Sequence, residues 1–230
     1  MSAVLLALSM AGTARAEGLS AAAEPVRRFL ALGDSYTIGE GVAAEERWPE
    51  LLVGLLAARG VAVSPPRVIA RTGWTTRDLT RALDAERPVG PFDIVSLMIG
   101  VNDQFRGDDV DGYAARFETL LGRAVELAGG VRSRVLVLSI PDYGVTPFAR
   151  GFGMDAREVA RDVDRFNEAA RRATQRAGAR WIDLTPASRQ AADDLELLAR
   201  DGLHPSAKLH AEWARLALPL AVDALAAQPR

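Results

Sequence analysis

The chain has 230 residues and no cysteine, with 28 Lys+Arg against 30 Asp+Glu and a formal net charge of -2. Hydrophobic residues make up 49% and charged residues 25%, the balance of a globular domain long enough to bury a core without covalent staples. Absent cysteine excludes a disulfide framework, a thiolate metal site and a cysteine nucleophile, and the near-neutral charge leaves no electrostatic footprint for nucleic acid.

At the N-terminus, Ala3 to Met10 form a short apolar run, followed by the small-residue pattern Ala14-Arg15-Ala16. That is the shape of a signal peptide over residues 1–16, although Met1-Ser2 carries no basic residue. An exported protein, periplasmic or secreted, is the expectation. The other reading is an N-terminal helix on a cytoplasmic protein. The run is well short of the ~18 apolar residues of a membrane span. Residues 17–25 read as a linker and 26–230 as one domain.

Strand-like apolar runs then alternate with helical patterns. Val26–Gly33 is the first predicted strand, and Arg47–Arg59 a helix with Trp48, Leu51, Leu52, Leu55 and Leu56 on one face. Arg67–Ala70 is a short second strand. Thr75–Glu86 is a helix capped by Thr75 or Thr76. Asp93–Gly100 and Arg134–Ile140 are continuous apolar runs, as in strands buried on both faces. Asp111–Ala128 and Asp155–Ala177 are helices, the second stopped by Gly178. Ala179–Leu184 is a fifth strand, and Ser206–Ala227 a final helix interrupted near Pro219. Five strands alternating with helices predict a parallel sheet in a three-layer α/β/α sandwich. In such sheets ligands bind beyond the carboxyl ends of the strands.

Four short blocks stand at such places: Gly33-Asp34-Ser35-Tyr36, Arg71-Thr72-Gly73-Trp74, Gly100-Val101-Asn102-Asp103 and, near the C-terminus, Asp201-Gly202-Leu203-His204-Pro205. Each alone is an ordinary turn. Together and in this order the chain resembles the SGNH hydrolases, the GDSL family of esterases and lipases, over roughly Arg28 to Leu220. Tyr36 stands where the family name has leucine. The wording of several blocks is similar to bacterial lysophospholipase- and arylesterase-like members.

The resemblance implies a flavodoxin-like fold and a serine esterase with Ser35, Asp201 and His204 as triad. A serine hydroxyl needs an adjacent base, histidine has a suitable pKa, and an aspartate on the other ring nitrogen fixes the tautomer. The backbone N–H groups of Ser35 and Gly73 and the amide of Asn102 would form the oxyanion hole. No metal or organic cofactor is implied. The substrate would be a small-molecule, lipid or glycan ester: an acyl ester, a lysophospholipid, an aryl ester or an O-acetylated sugar. Acyl transfer to an alcohol is the alternative, and an inactive binding protein the reading from another class. A monomer is expected, with no nucleic-acid partner and no membrane span.

Tyr36, Trp74, Phe105, Tyr143, Phe148 and Phe152 are candidates for the walls of a substrate pocket. The Gly- and aromatic-rich stretch Asp142–Asp155 reads as a loop forming one lip of the cleft. Asp34, Asp103 and Asp142 read as turn residues, and His210 as structural or surface. Gly39-Glu40-Gly41-Val42-Ala43-Ala44 matches a relaxed dinucleotide fingerprint, but it does not open a helix directly from a strand and is set aside.

Overall fold

A computed structural model describes residues 26–226. The predicted signal peptide and linker lie outside the described residues. The first strand, β1 (Phe29–Gly33), is buried along its whole length and leads into a four-residue helix, α1 (Ser35–Ile38). Helix α2 (Trp48–Ala57) follows, then strand β2 (Arg67–Ala70) and helix α3 (Thr76–Glu86). Of the two threonines, Thr75 is the cap of α3: its hydroxyl accepts from Asp78 N–H, and the Asp78 carboxylate accepts from Thr75 N–H.

Strand β3 (Ile94–Met98) is wholly buried and leads into the short helix α4 (Val101–Phe105) and the long α5 (Val110–Leu127). Strand β4 (Val135–Leu138) is followed by α6 (Pro147–Gly151) and α7 (Ala156–Ala177). Asp155 caps α7 by accepting from Arg157 and Glu158 N–H, and Gly178 ends it in the left-handed conformation. Strand β5 (Arg180–Ile182), α8 (Thr185–Arg189) and α9 (Ala207–Ala226) complete the chain.

All five strands are parallel, in the order β2-β1-β3-β4-β5. Helix α2 packs on α9 in one layer, and α5 packs on α7 and α3 in the other. The central strands β1, β3 and β4 meet both layers. This is why their sequences are continuous apolar runs rather than alternating ones. Each fully buried leucine, such as Leu32 or Leu136, stabilises the fold enough that truncation to alanine costs ~2–5 kcal/mol.

Two expectations change. The final helix is not interrupted: α9 runs through Pro219. The ring forfeits one backbone bond, but Trp213, Ala214, Ala217, Leu218, Ala221 and Ala224 are buried along the same helix and hold it against α2 and the sheet. The Asp142–Asp155 stretch is not a bare loop. It contains a 3-10 turn at Tyr143–Val145 and then α6, whose first turn is capped by Thr146.

Candidate active site

The order of the strands reverses between β1 and β3, since the chain goes first to β2 on one side and then to β3 on the other. A crevice opens at such a switch point. Ser35 follows β1 and Asn102 follows β3, so the fold delivers both to this crevice. Ser35 begins α1 and is 5% exposed. The turn before it is held by Asp34, whose Oδ1 accepts the Tyr36 N–H at 3.0 Å.

Asp201 and His204 sit on one closed turn. Asp201 Oδ2 is 2.6 Å from His204 Nδ1, while Oδ1 accepts the N–H groups of Leu203 at 2.9 Å and His204 at 3.0 Å. The turn is sealed by Ala199 N–H donating to His204 O at 2.7 Å and Ser206 N–H to Leu197 O at 2.8 Å. Burial alone would raise the Asp201 carboxyl, but its bonds to the imidazole and to the two backbone donors hold it below the usual carboxylate range. The carboxylate thus engages Nδ1 and leaves Nε2 with Glu40 Oε2 3.9 Å away. The Tyr36 ring packs beneath the imidazole, with centroids 5.4 Å apart.

Ser35, His204, Gly73 and Asn102 line one cavity of about 140 Å³. The Asn102 amide donates one N–H to Trp74 O at 3.0 Å, which leaves the other N–H unused. Arg106 donates to Gly73 O at 2.7 Å and clamps the peptide on the opposite side from its N–H. Neither the Ser35 nor the Gly73 N–H has a partner among the described residues. Three residues, at the start of α1, after β2 and in α4, therefore line one cavity with an N–H each that has no partner among the described residues.

Of the six aromatic candidates, Tyr36, Phe105, Tyr143 and Phe148 line the cavity. Trp74 and Phe152 do not. Trp74 packs against the core, and Phe152 stacks outside on Phe148 at 4.7 Å. Thr72, Val101 and Leu203 line the cavity too. They escaped attention at the sequence level, although all three lie inside the four blocks. The predicted lip is tied to the histidine turn through Phe148 N–H, which donates to Gly202 O at 3.1 Å.

Asp34, Asp103, Asp142 and the second histidine are each engaged in bonds that hold the fold. Asp103 is buried and accepts from Thr76 N–H at 2.9 Å, Thr76 Oγ1 at 2.5 Å and Arg116 at 3.3 Å. Asp142 accepts from Gly144 N–H and from Arg189. Asp34 is buried, and desolvation, aided by the charge of Asp103, pushes its carboxyl up to about 8. His210 is buried rather than at the surface. Its Nδ1 accepts the first N–H of α2, from Trp48 at 3.3 Å, and burial pushes the ring down to about 3.

Comparison with known proteins bears on the fold and the family. The profile of the GDSL-like Lipase/Acylhydrolase family matches residues 31–212. Among solved structures, TesA superposes with a TM-score of 0.67 at 18% identity, covering 86% of this chain and 100% of its own. An esterase, EstA, from Pseudoalteromonas sp. gives 0.60 at 21% identity, covering 87% and 94%. An acetylxylan esterase from Geobacillus stearothermophilus gives 0.61 at 22% identity, covering 88% and 95%. No curated protein sequence matches the chain. With the family profile spanning most of the chain and the five-stranded parallel sheet shared with these structures, the protein belongs to the GDSL-like lipase/acylhydrolase family and is a carboxylic ester hydrolase.

Proposed function

We propose that the protein hydrolyses esters of short acyl groups through an acyl-enzyme on Ser35. The observation that carries this reading is the Asp201–His204 pair, bonded at 2.6 Å through Nδ1, on the wall of the cavity that Ser35 also lines. His204 Nε2 takes the Ser35 proton as Oγ attacks the ester carbonyl, and the carbonyl oxygen becomes an oxyanion. The N–H groups of Ser35, Gly73 and Asn102 receive that charge. Collapse breaks the bond to the alcohol oxygen, which leaves with the proton from Nε2. Water then attacks the acyl-enzyme, gives its proton to the same nitrogen, and releases the acid with Ser35 restored.

The cavity size supports a small acyl group. At about 140 Å³ it lies below the ~300–1,000 Å³ of drug-sized ligand sites and near the ~150 Å³ apolar cavity that admits benzene. Phe105, Tyr143 and Phe148 wall it, so a chain of about four to six carbons, benzene-sized in bulk, fills it. The test is hydrolysis of p-nitrophenyl esters from acetate to palmitate. The rate is expected to peak at short chains and to vanish in Ser35→Ala with the fold intact by circular dichroism. Retained turnover in that variant would remove Ser35 as the nucleophile.

A further inference from the structure

The set-aside Gly39-Glu40-Gly41 segment lies directly beside the proposed catalytic pair. Glu40 N–H donates to Ser35 O at 3.0 Å, which fixes the segment to the helix that carries the nucleophile. Gly41 has φ +88, and a Cβ there would stand 2.7 Å from the Ala199 side chain and 3.7 Å from Asp201 Oδ2. Gly39 has φ +72, and its Cβ would stand 2.5 Å from that of Arg47. The two glycines therefore let the chain press against Arg47 on one side and the histidine turn on the other, and Glu40 between them supplies the segment's one side chain.

That side chain is aimed at the reacting edge of the imidazole. Glu40 Oε2 lies 3.9 Å from His204 Nε2 and accepts a hydrogen bond from Thr72 Oγ1, while Thr72 itself lines the cavity. Oε1 has no partner among the described residues, and the carboxyl side chain is 36% exposed. In the proposed mechanism Nε2 must hand its proton to the leaving alcohol oxygen, which requires hydrogen-bond contact between the two. The alcohol moiety of the ester therefore has to pass beside Glu40.

We propose that Glu40, held by Thr72, forms a leaving-group subsite that selects esters of polyhydroxy alcohols, such as glycerol or a sugar, by accepting a hydrogen bond from the hydroxyl on the carbon next to the ester carbon. The inference rests on the assignment of Ser35 and His204 above. A carboxylate suits this task because it only accepts, and a hydroxyl donating to a charged acceptor makes a stronger bond than a neutral pair does. A simple alkyl group brought to the same place would strip water from the carboxylate and return nothing.

The experiment compares two esters of one acid and nearly one shape, 2-hydroxyethyl butyrate and propyl butyrate, each normalised to its alkaline hydrolysis rate. p-Nitrophenyl butyrate runs alongside. The wild type is expected to favour the hydroxyethyl ester in kcat/KM by on the order of tenfold, the value of one hydrogen bond to a charged group. Glu40→Ala should bring the ratio to about one, and Thr72→Val, which frees the carboxylate to swing, should lower it part of the way. If Glu40 acts only on the imidazole, Glu40→Ala slows both esters equally and the ratio does not move, which overturns the subsite. A flat ratio in the wild type, with p-nitrophenyl butyrate turned over, also overturns it while the esterase mechanism stands. Loss of turnover on every ester would strike the mechanism itself, and the subsite with it.

Discussion

Asp201 Oδ2, 2.6 Å from His204 Nδ1, is placed both to hold one tautomer and to balance the charge of an imidazolium. Asparagine in its place presents an amide that stabilises the wrong tautomer or no imidazolium at all. Asp201→Asn is expected to lower kcat on p-nitrophenyl butyrate by on the order of 10⁴-fold with little change in the unfolding midpoint. Near-full activity would reassign the triad acid. Asp34, one residue before the proposed nucleophile, behaves oppositely. Its carboxyl is raised from 3.8 to about 8 by burial, and Oδ2 has no partner among the described residues. Between these values the native state holds a proton that the unfolded state has lost. Stability therefore falls as pH rises from about 4 to about 8. Asparagine keeps the acceptor for Tyr36 N–H without the ionisation. In urea unfolding, Asp34→Asn should gain stability on the wild type from pH 5 to pH 8, by about 1.4 kcal/mol per pH unit at most. A constant difference across that range would show that Asp34 titrates normally.

Among the elements, α4 carries the largest burden for its five residues, because Asn102 projects from it and Asp103 anchors it. The Asp103 carboxylate ties α4 to the start of α3 through Thr76 and to α5 through Arg116. Removing it takes a buried acceptor away from donors on two helices, Thr76 of α3 and Arg116 of α5. Asp103→Ala should cost about 3–5 kcal/mol and should also reduce kcat, since the Asn102 donor loses its support. Thermal unfolding and p-nitrophenyl butyrate turnover on the same preparation check both, and an unchanged melting temperature would refute it. Neither α1 nor α4 was announced by periodicity, because four or five residues span barely one turn. The long helices and all five strands were legible, because burial on one face or two writes itself into the apolar pattern. Pro219 misled for the complementary reason: local propensity argues for a break, and the packing of the Trp213 and Ala217 face overrides it.

At the scale of the whole molecule, the family was readable from four blocks taken together, three standing after β1, β2 and β3 and the fourth just ahead of α9. The sequence was silent where tertiary approach alone decides. Nothing local distinguishes Glu40 from a surface glutamate, or reveals that Trp74 turns into the core while Thr72 turns to the cavity. His210 shows the same limit. A buried imidazole receiving the first N–H of α2 joins two helices 162 residues apart in sequence. Its ring, pushed from 6.5 to about 3, must gain a proton on unfolding at mildly acid pH. Stability therefore falls as pH drops through about 6.5 toward 3. With Asp34 acting from the alkaline side, the two buried groups together confine the stability maximum to mildly acidic solution.

The histidine turn closes on itself, through Ala199, Leu197 and Ser206, and touches Tyr36 through the imidazole and the lip helix through Gly202. The proposed acid and base consequently travel as one body, and what a partial opening separates is that body from Ser35. Such a detachment leaves the five strands and the α2–α9 layer assembled, so it demands less free energy than complete unfolding. Warming or dilute urea should silence the enzyme several degrees, or a fraction of a molar unit, before far-UV dichroism changes. Because no bond within the pair has been disturbed, activity should return in full on cooling or dilution. Coincident loss of turnover and dichroism would show instead that the turn is released only when the sheet is.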